Sequence, residues 1–241
     1  MAFSMSITDG EMDARNGALF LSEYGWLSRM PADFRRAILR SCIWQRYEPG
    51  AALIVAGDPP GGLFGVADGS IAGSTAFGVP DTPVLHIARP GFWSGEGSIL
   101  SGEPRRISVF AITDALVANV PLPALRTLLS ERPEWWRHIG QLALASTDLI
   151  VNGLADMAIR DSTQRCAAIL LRLCDCRFSD SADISREVMV TQEEMAALAN
   201  LSRATVNTIL RRLAKLRLVE LHYRSIAVLG TKSLRKIANG E

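Results

Sequence analysis

The sequence predicts an α+β chain in three zones: a strand-rich N-terminal body, one long helix, and a C-terminal winged helix-turn-helix. Three observations carry this. Short apolar runs punctuated by Gly and Pro fill residues 44–120. A segment apolar around most of its circumference follows at 134–159. Near the C-terminus, a capping box precedes a helix with one apolar and one basic face. The boundaries expected are 17–133 for the body, 134–160 for the long helix and 161–241 for the C-terminal domain.

Residues 17–42 read as helical and are expected to pack against the body. In the body, the runs Ala52-Leu53-Ile54-Val55, Leu63-Phe64-Gly65-Val66, Pro83-Val84-Leu85-His86-Ile87 and Ile107-Ser108-Val109-Phe110-Ala111-Ile112 are separated by turn signals. Those signals are Pro49-Gly50, Gly57-Asp58-Pro59-Pro60, Asp68-Gly69 and Pro90-Gly91. Short strands at such spacing indicate a β-sandwich or β-roll.

In the long helix, Arg137, Gln141, Asp148, Asn152 and Asp156 form one polar stripe. Trp136, Ala143, Ile150 and Met157 recur every seven residues among the apolar positions. A helix so broadly apolar needs cover on more than one side, and a partner helix supplies it in a dimer. A core helix of a monomer is the alternative.

The third zone opens with a helix from Asp161 through Leu171, then a polar loop, Ser179-Asp180-Ser181-Ala182-Asp183. Thr191 and Glu194 have the spacing of a capping box, in which hydroxyl and carboxylate each satisfy one end amide. Met195, Leu198 and Ala199 give the following helix a short apolar face. Asn200 tolerates the left-handed turn that follows, and Ser202 suits the next N-cap. Val206, Ile209, Leu210 and Leu213 then line one helix face. Arg203, Ala204, Asn207, Thr208, Arg211, Arg212 and Lys215 occupy the others. Residues 218–229 read as a two-stranded hairpin, the wing. A basic second helix on a buried first one is what major-groove recognition requires.

The charge agrees. The 241-residue chain has 26 Lys+Arg against 25 Asp+Glu, a net of +1. Residues 188–241 hold nine of the basic groups and four of the acidic ones, a net of +5, so residues 1–187 carry −4. All three lysines, Lys215, Lys232 and Lys236, lie in the basic part. A local positive field marks a phosphate-binding surface that the whole-chain sum conceals.

Several classes are excluded. The 48% hydrophobic content and 21% charged content do not describe a disordered chain. No apolar stretch is long enough for a membrane span, and the N-terminus lacks the pattern of a signal peptide, so a cytoplasmic protein is expected. Cys42, Cys166, Cys174 and Cys176 lack zinc-site spacing, and no cysteine precedes Cys42 to hold an N-terminal iron-sulfur cluster. His86 and His138 are expected to be structural. No catalytic set, P-loop or metal-hydrolase motif appears, so neither an enzyme nor a metal site is expected. A regulatory module acting on another protein would explain the β-roll but not the basic winged helix.

Thr191-Gln192-Glu193-Glu194 with Leu201-Ser202-Arg203-Ala204-Thr205-Val206 resembles the winged helix of the cyclic AMP receptor protein and fumarate-nitrate regulator family. Arg46-Tyr47-Glu48-Pro49-Gly50, Gly57-Asp58 and Asp68-Gly69-Ser70-Ile71 resemble landmarks of that family's cyclic-nucleotide-binding-like β-roll. The resemblance covers about residues 20–230. It implies a homodimeric transcription regulator on a near-palindromic operator in double-stranded DNA, with RNA polymerase as a further partner.

Where family members read bases with Arg, Glu and Arg, this sequence has Arg203, Ala204 and Thr208. Arg203 suits a guanine edge. Gln192, Ser202, Thr205 and Arg211 are expected at phosphates. Asn207, and His222 and Arg224 on the wing, complete the candidate DNA contacts.

Gly95, Glu96 and Arg106 resemble the family's phosphate-binding cassette. Ile107, Ile150 and Val151 stand where Ser and Thr are expected. A purine edge meeting aliphatic groups loses its hydrogen bonds. The residues therefore disfavour cyclic AMP and leave another small effector, or none.

Overall fold

A computed structural model describes residues 13–75, 84–174 and 186–241. They fall into two compact units, described separately: 13–75 with 88–146, and 84–87 with 147–174 and 186–241. The division falls within the long helix. Cys176, Pro83 and the loop Ser179–Asp183 lie outside the described residues.

The first unit opens with α1 (Ala14–Glu23), α2 (Gly25–Ser28) and α3 (Ala32–Arg40). Asp13 caps α1 by accepting from the Asn16 amide at 2.7 Å. The strands follow: β1 (Ile43–Tyr47), β2 (Ala52–Ile54), β3 (Leu63–Asp68), β4 (Ile71–Ser74), β5 (Val84–Ala88, of which only Ala88 is in this unit) and β6 (Trp93–Ser94). After α4 (Glu96–Ser101) come β7 (Ser108–Ala111), β8 (Ala115–Val120) and α5 (Leu122–Glu131). The strands make two four-stranded sheets, ordered β1-β8-β3-β6 and β2-β7-β4-β5.

Phe64, Val66, Ile71, Val109, Ala111 and Val117 fill one apolar core of the strands. Leu21, Leu27, Phe34, Ile38, Trp93, Trp135 and Ile139 belong to a second cluster that joins the helices to the strands. Gly65 lets Trp93 into this layer, since a Cβ there would stand 2.5 Å from the indole ring. The expected strand runs all appear; α5 is an element the sequence reading lacked.

A 3-10 turn, Pro133–Trp135, leads into α6 (Trp136–Ala158), the expected long helix. Leu144, Ile150, Val151 and Leu154 are 57–72% exposed on it. Among the described residues, no helix is long and apolar enough to cross a membrane.

In the second unit, α7 (Ser162–Leu173) is capped by Asp161 and buries Cys166 through Leu171 without a break. Then come β9 (Arg186–Val188), α8 (Gln192–Ala199), α9 (Arg203–Lys215), β10 (Val219–His222), β11 (Ser225–Val228) and α10 (Thr231–Asn239). The expected hairpin is present, and β9 adds a third strand in the order β10-β11-β9. The terminal helix α10, packed on α7, was also not anticipated.

Candidate nucleic-acid interface

The helix-turn-helix is set by short-range chemistry. The Thr191 amide donates to the Glu194 carboxylate at 2.7 Å, and the Glu194 amide to Thr191 Oγ1 at 3.1 Å. This reciprocal box fixes where α8 starts. Asn200 ends it in the left-handed region, at φ 48°. Ser202 starts α9 by accepting from the Thr205 amide at 3.1 Å. Val206, Ile209, Leu210 and Leu213 are buried, and they hold α9 against the domain core.

The opposite face of α9 is open. Ser202, Arg203, Ala204, Thr205, Thr208 and Arg211 are exposed, and Asn207 is half-buried. Gln192 Oε1 accepts from Asn207 Nδ2 at 2.6 Å, coupling the first turn of α8 to the middle of α9. Ser202 and Thr205 share a hydroxyl hydrogen bond of 2.8 Å. Thr208 Oγ1 donates to the Ala204 carbonyl at 3.0 Å.

The wing stands beside this face. His222 pairs with Ser225, so Tyr223 and Arg224 form a two-residue tip. Tyr223 is 91% exposed. Arg224 has φ 62°, a conformation that costs a residue with a Cβ about 1–2 kcal/mol. A cleft of about 430 Å³ is lined by Thr191, Gln192 and Glu193, by Arg203, and by His222, Tyr223 and Arg224 among others. Of the sequence candidates, Gln192, Arg203, His222 and Arg224 meet in this cleft; Ser202, Ala204, Thr205, Asn207, Thr208 and Arg211 lie on α9 outside its lining. Tyr223 is the member that sequence reasoning missed; its place at the centre of a turn was the available signal.

The cassette candidates split between the units: Gly95, Glu96, Arg106 and Ile107 lie in the first, Ile150 and Val151 in the second. Gly95 has φ 112°, which glycine alone adopts readily, and starts α4. Glu96 is buried, with Oε2 lacking a hydrogen-bond partner. That oxygen suits a donor such as a sugar hydroxyl.

The guanidinium end differs from expectation. Arg106 is exposed. The neighbouring Arg105 turns inward and donates to the Gly62 carbonyl at 2.7 Å and the Gly95 carbonyl at 3.2 Å. Burial lowers its pKa, while Glu96 and then Asp58 oppose that. Its side chain also lines a cavity of about 240 Å³ with Asp58, Gly61, Gly62 and Asn119. The inward guanidinium is thus engaged by the protein's own backbone. Ile107 is 39% exposed, and Ile150 and Val151 are 68% and 57% exposed. A carboxylate for a sugar is present; hydroxyl partners for a phosphate and a purine are not found at these positions.

Comparison with known proteins agrees with both halves of the fold. The profile of the Crp-like helix-turn-helix domain matches residues 164–237, and that of the cyclic nucleotide-binding domain matches 44–132. A CRP-like cAMP-activated global transcriptional regulator of Mycobacterium tuberculosis is 31% identical over 157 residues, spanning 64% of this chain and 70% of that protein. The chain belongs to the Crp/Fnr family of transcription regulators.

The Pasteurella multocida cAMP-activated global transcriptional regulator CRP is 24% identical over 195 residues, covering 80% of this chain and 93% of that one. FixK2 from Bradyrhizobium japonicum superposes with a TM-score of 0.69 at 16% identity, covering 81% and 96% of the two chains. At that identity the superposition speaks for the fold alone. As a Crp/Fnr protein, the chain is a DNA-binding transcription regulator, and the α8–α9 pair with its wing is its helix-turn-helix domain. Its relatives are regulators, in keeping with the lack of a catalytic set in the sequence. Among the described residues no cluster of three His, Cys, Asp or Glu side chains is placed to hold a metal.

Proposed function

We propose that two copies of this cytoplasmic chain bind a near-palindromic operator together, one α9 per half-site, and influence RNA polymerase from there. Arg203 reads a guanine through O6 and N7. Ser202, Thr205, Arg211 and the Gln192 amide hold phosphates, with His222 and Arg224 extending the grip from the wing. Asn207, held by Gln192, positions α9.

The observation that carries the dimer is the apolar stripe of α6. Leu144, Ile150, Val151 and Leu154 are 57–72% exposed on one side of the helix, a clustering of apolar groups that marks an interaction surface. A second α6 laid against it buries that stripe. Cyclic AMP has no part in this reading; any effector belongs to another chemical class and biases the placement of the DNA-binding domains. Sedimentation of the full chain tests the dimer. The wild type should sediment as a dimer at micromolar concentration, and Leu154→Glu as a monomer that binds the operator at least tenfold more weakly. A monomeric wild type would refute the proposal.

A further inference from the structure

We infer that Ala204 and Thr208 make the protein select thymine in its half-site, by contact with the base's 5-methyl group. The inference rests on the reading above, that α9 lies in the major groove. Ala204 and Thr208 are four residues apart on α9, so they stack on one stripe of the helix, and both are exposed. The stripe begins in the first turn of α9, the part of a recognition helix that reaches base edges.

The hydrogen bonds decide what this stripe offers. The Thr208 hydroxyl gives its proton to the Ala204 carbonyl within the helix. The Ser202 and Thr205 hydroxyls are joined to one another, and Asn207 donates to Gln192. Arg203 is thus the charged donor of the first turn. Beside it the surface presents the Ala204 methyl and, one turn on, the Thr208 methyl.

Of the features on the four base pairs in the major groove, the thymine methyl alone is apolar. Two methyl groups match it and leave none of their own polar groups unpaired. A cytosine or adenine amino group at the same place would find no carboxylate, because Ala204 stands there. A guanine would find no second arginine, because Thr208 does. Arg203 therefore anchors one guanine, and the neighbouring step toward the centre of α9 is read as thymine.

In vitro selection with the full chain supplies the operator. Fluorescence anisotropy then compares it with copies in which each thymine in turn is replaced by deoxyuridine, which differs only by the methyl. At one or two thymines per half-site the loss should be about fourfold, the contribution of one buried methyl group. Thr208→Ser, which keeps the hydroxyl, should lose most of that discrimination at one position. An operator without half-site thymine, or equal binding of every deoxyuridine copy, would overturn the inference. The wild-type titrations stand even if Thr208→Ser folds poorly. Arg203→Ala separates the two levels of the argument. If it leaves operator binding intact, the placement of α9 is wrong. If it weakens binding while deoxyuridine has no effect, thymine selection alone is wrong.

Discussion

Arg172 Nε lies 2.6 Å from Asp156 Oδ2, and both side chains are withdrawn from water, at 13% and 1% exposure. The pair ties the last turn of α6 to α7 within the second unit. The neighbouring joint is pinned as well: Asp161 caps α7, and Arg165 donates to the Ile159 carbonyl at 3.3 Å. Burial lowers the Arg172 pKa, but a guanidinium is not deprotonated in proteins. Removing the carboxylate in Asp156→Ala strands a buried cation and should cost about 3 kcal/mol in urea unfolding. Replacing both partners, as Asp156→Leu with Arg172→Met, should cost less than the single change. A single variant as stable as wild type would show that the pair contributes nothing.

Burial disfavours the thiolate form of Cys42 and Cys166. Burial pushes the Cys42 thiol up to about 12 and Cys166 to about 11, the latter despite the opposing pull of Arg165. Both exceed the ordinary value of 9.0, so the folded state holds these protons more tightly than the unfolded one. Their contribution to stability is complete below pH 9 and falls as pH climbs toward 11 and 12. A Cys176→Ser variant at pH 8 should resist a thiol reagent such as dithiobisnitrobenzoate until unfolded. One rapid equivalent in the native protein would contradict this.

Two arginines of α9 should fail in different ways. Arg203→Ala should weaken operator binding by about 1–3 kcal/mol and relax the sequence at one position. Arg211→Ala should weaken all sequences alike and lower the salt dependence by about one counterion. Anisotropy across a salt series, with specific and random duplexes, distinguishes them. Identical profiles for the two variants would reject the division of labour.

Isothermal titration calorimetry with cyclic AMP and cyclic GMP should give no heat of micromolar binding. The physical reason is the engaged guanidinium of Arg105, with the exposed Arg106 followed by the aliphatic Ile107. Micromolar affinity for either nucleotide would reverse this conclusion.

What the sequence revealed was governed by range. The capping box of Thr191 and Glu194, the turn at Asn200 and the cap at Ser202 each depend on neighbours within four residues, so they were legible. The buried face of α9 followed from its period. The strand Arg186–Val188 was not legible, since three residues carry no period and their partner, β11, lies some 40 residues on. The inward arginine depended on a distant turn too. Arg105 donates its amide to the Asp58 carbonyl at 2.8 Å, and its own carbonyl accepts from Gly57 at 2.8 Å. That pairing decides which of two adjacent arginines faces in, and counting forward from Gly95 contains no trace of it. The open face of α9 also followed from its period, whereas the hydroxyl of Thr208 donates to the Ala204 carbonyl, a choice of partner that the sequence does not specify.

The strand β9 has a consequence for any shortened form of the gene product. It enters the helix-turn-helix from the N-terminal side and finds its hydrogen-bonding partner in β11, beyond the recognition helix. A nonsense codon or a proteolytic nick after α9 would therefore do more than remove the wing. It would unzip the segment just upstream of α8, where the buried Val188 is paired with Ile226. Entrance and exit of the DNA-reading module are sewn together, so it can be inherited, transplanted or lost only whole.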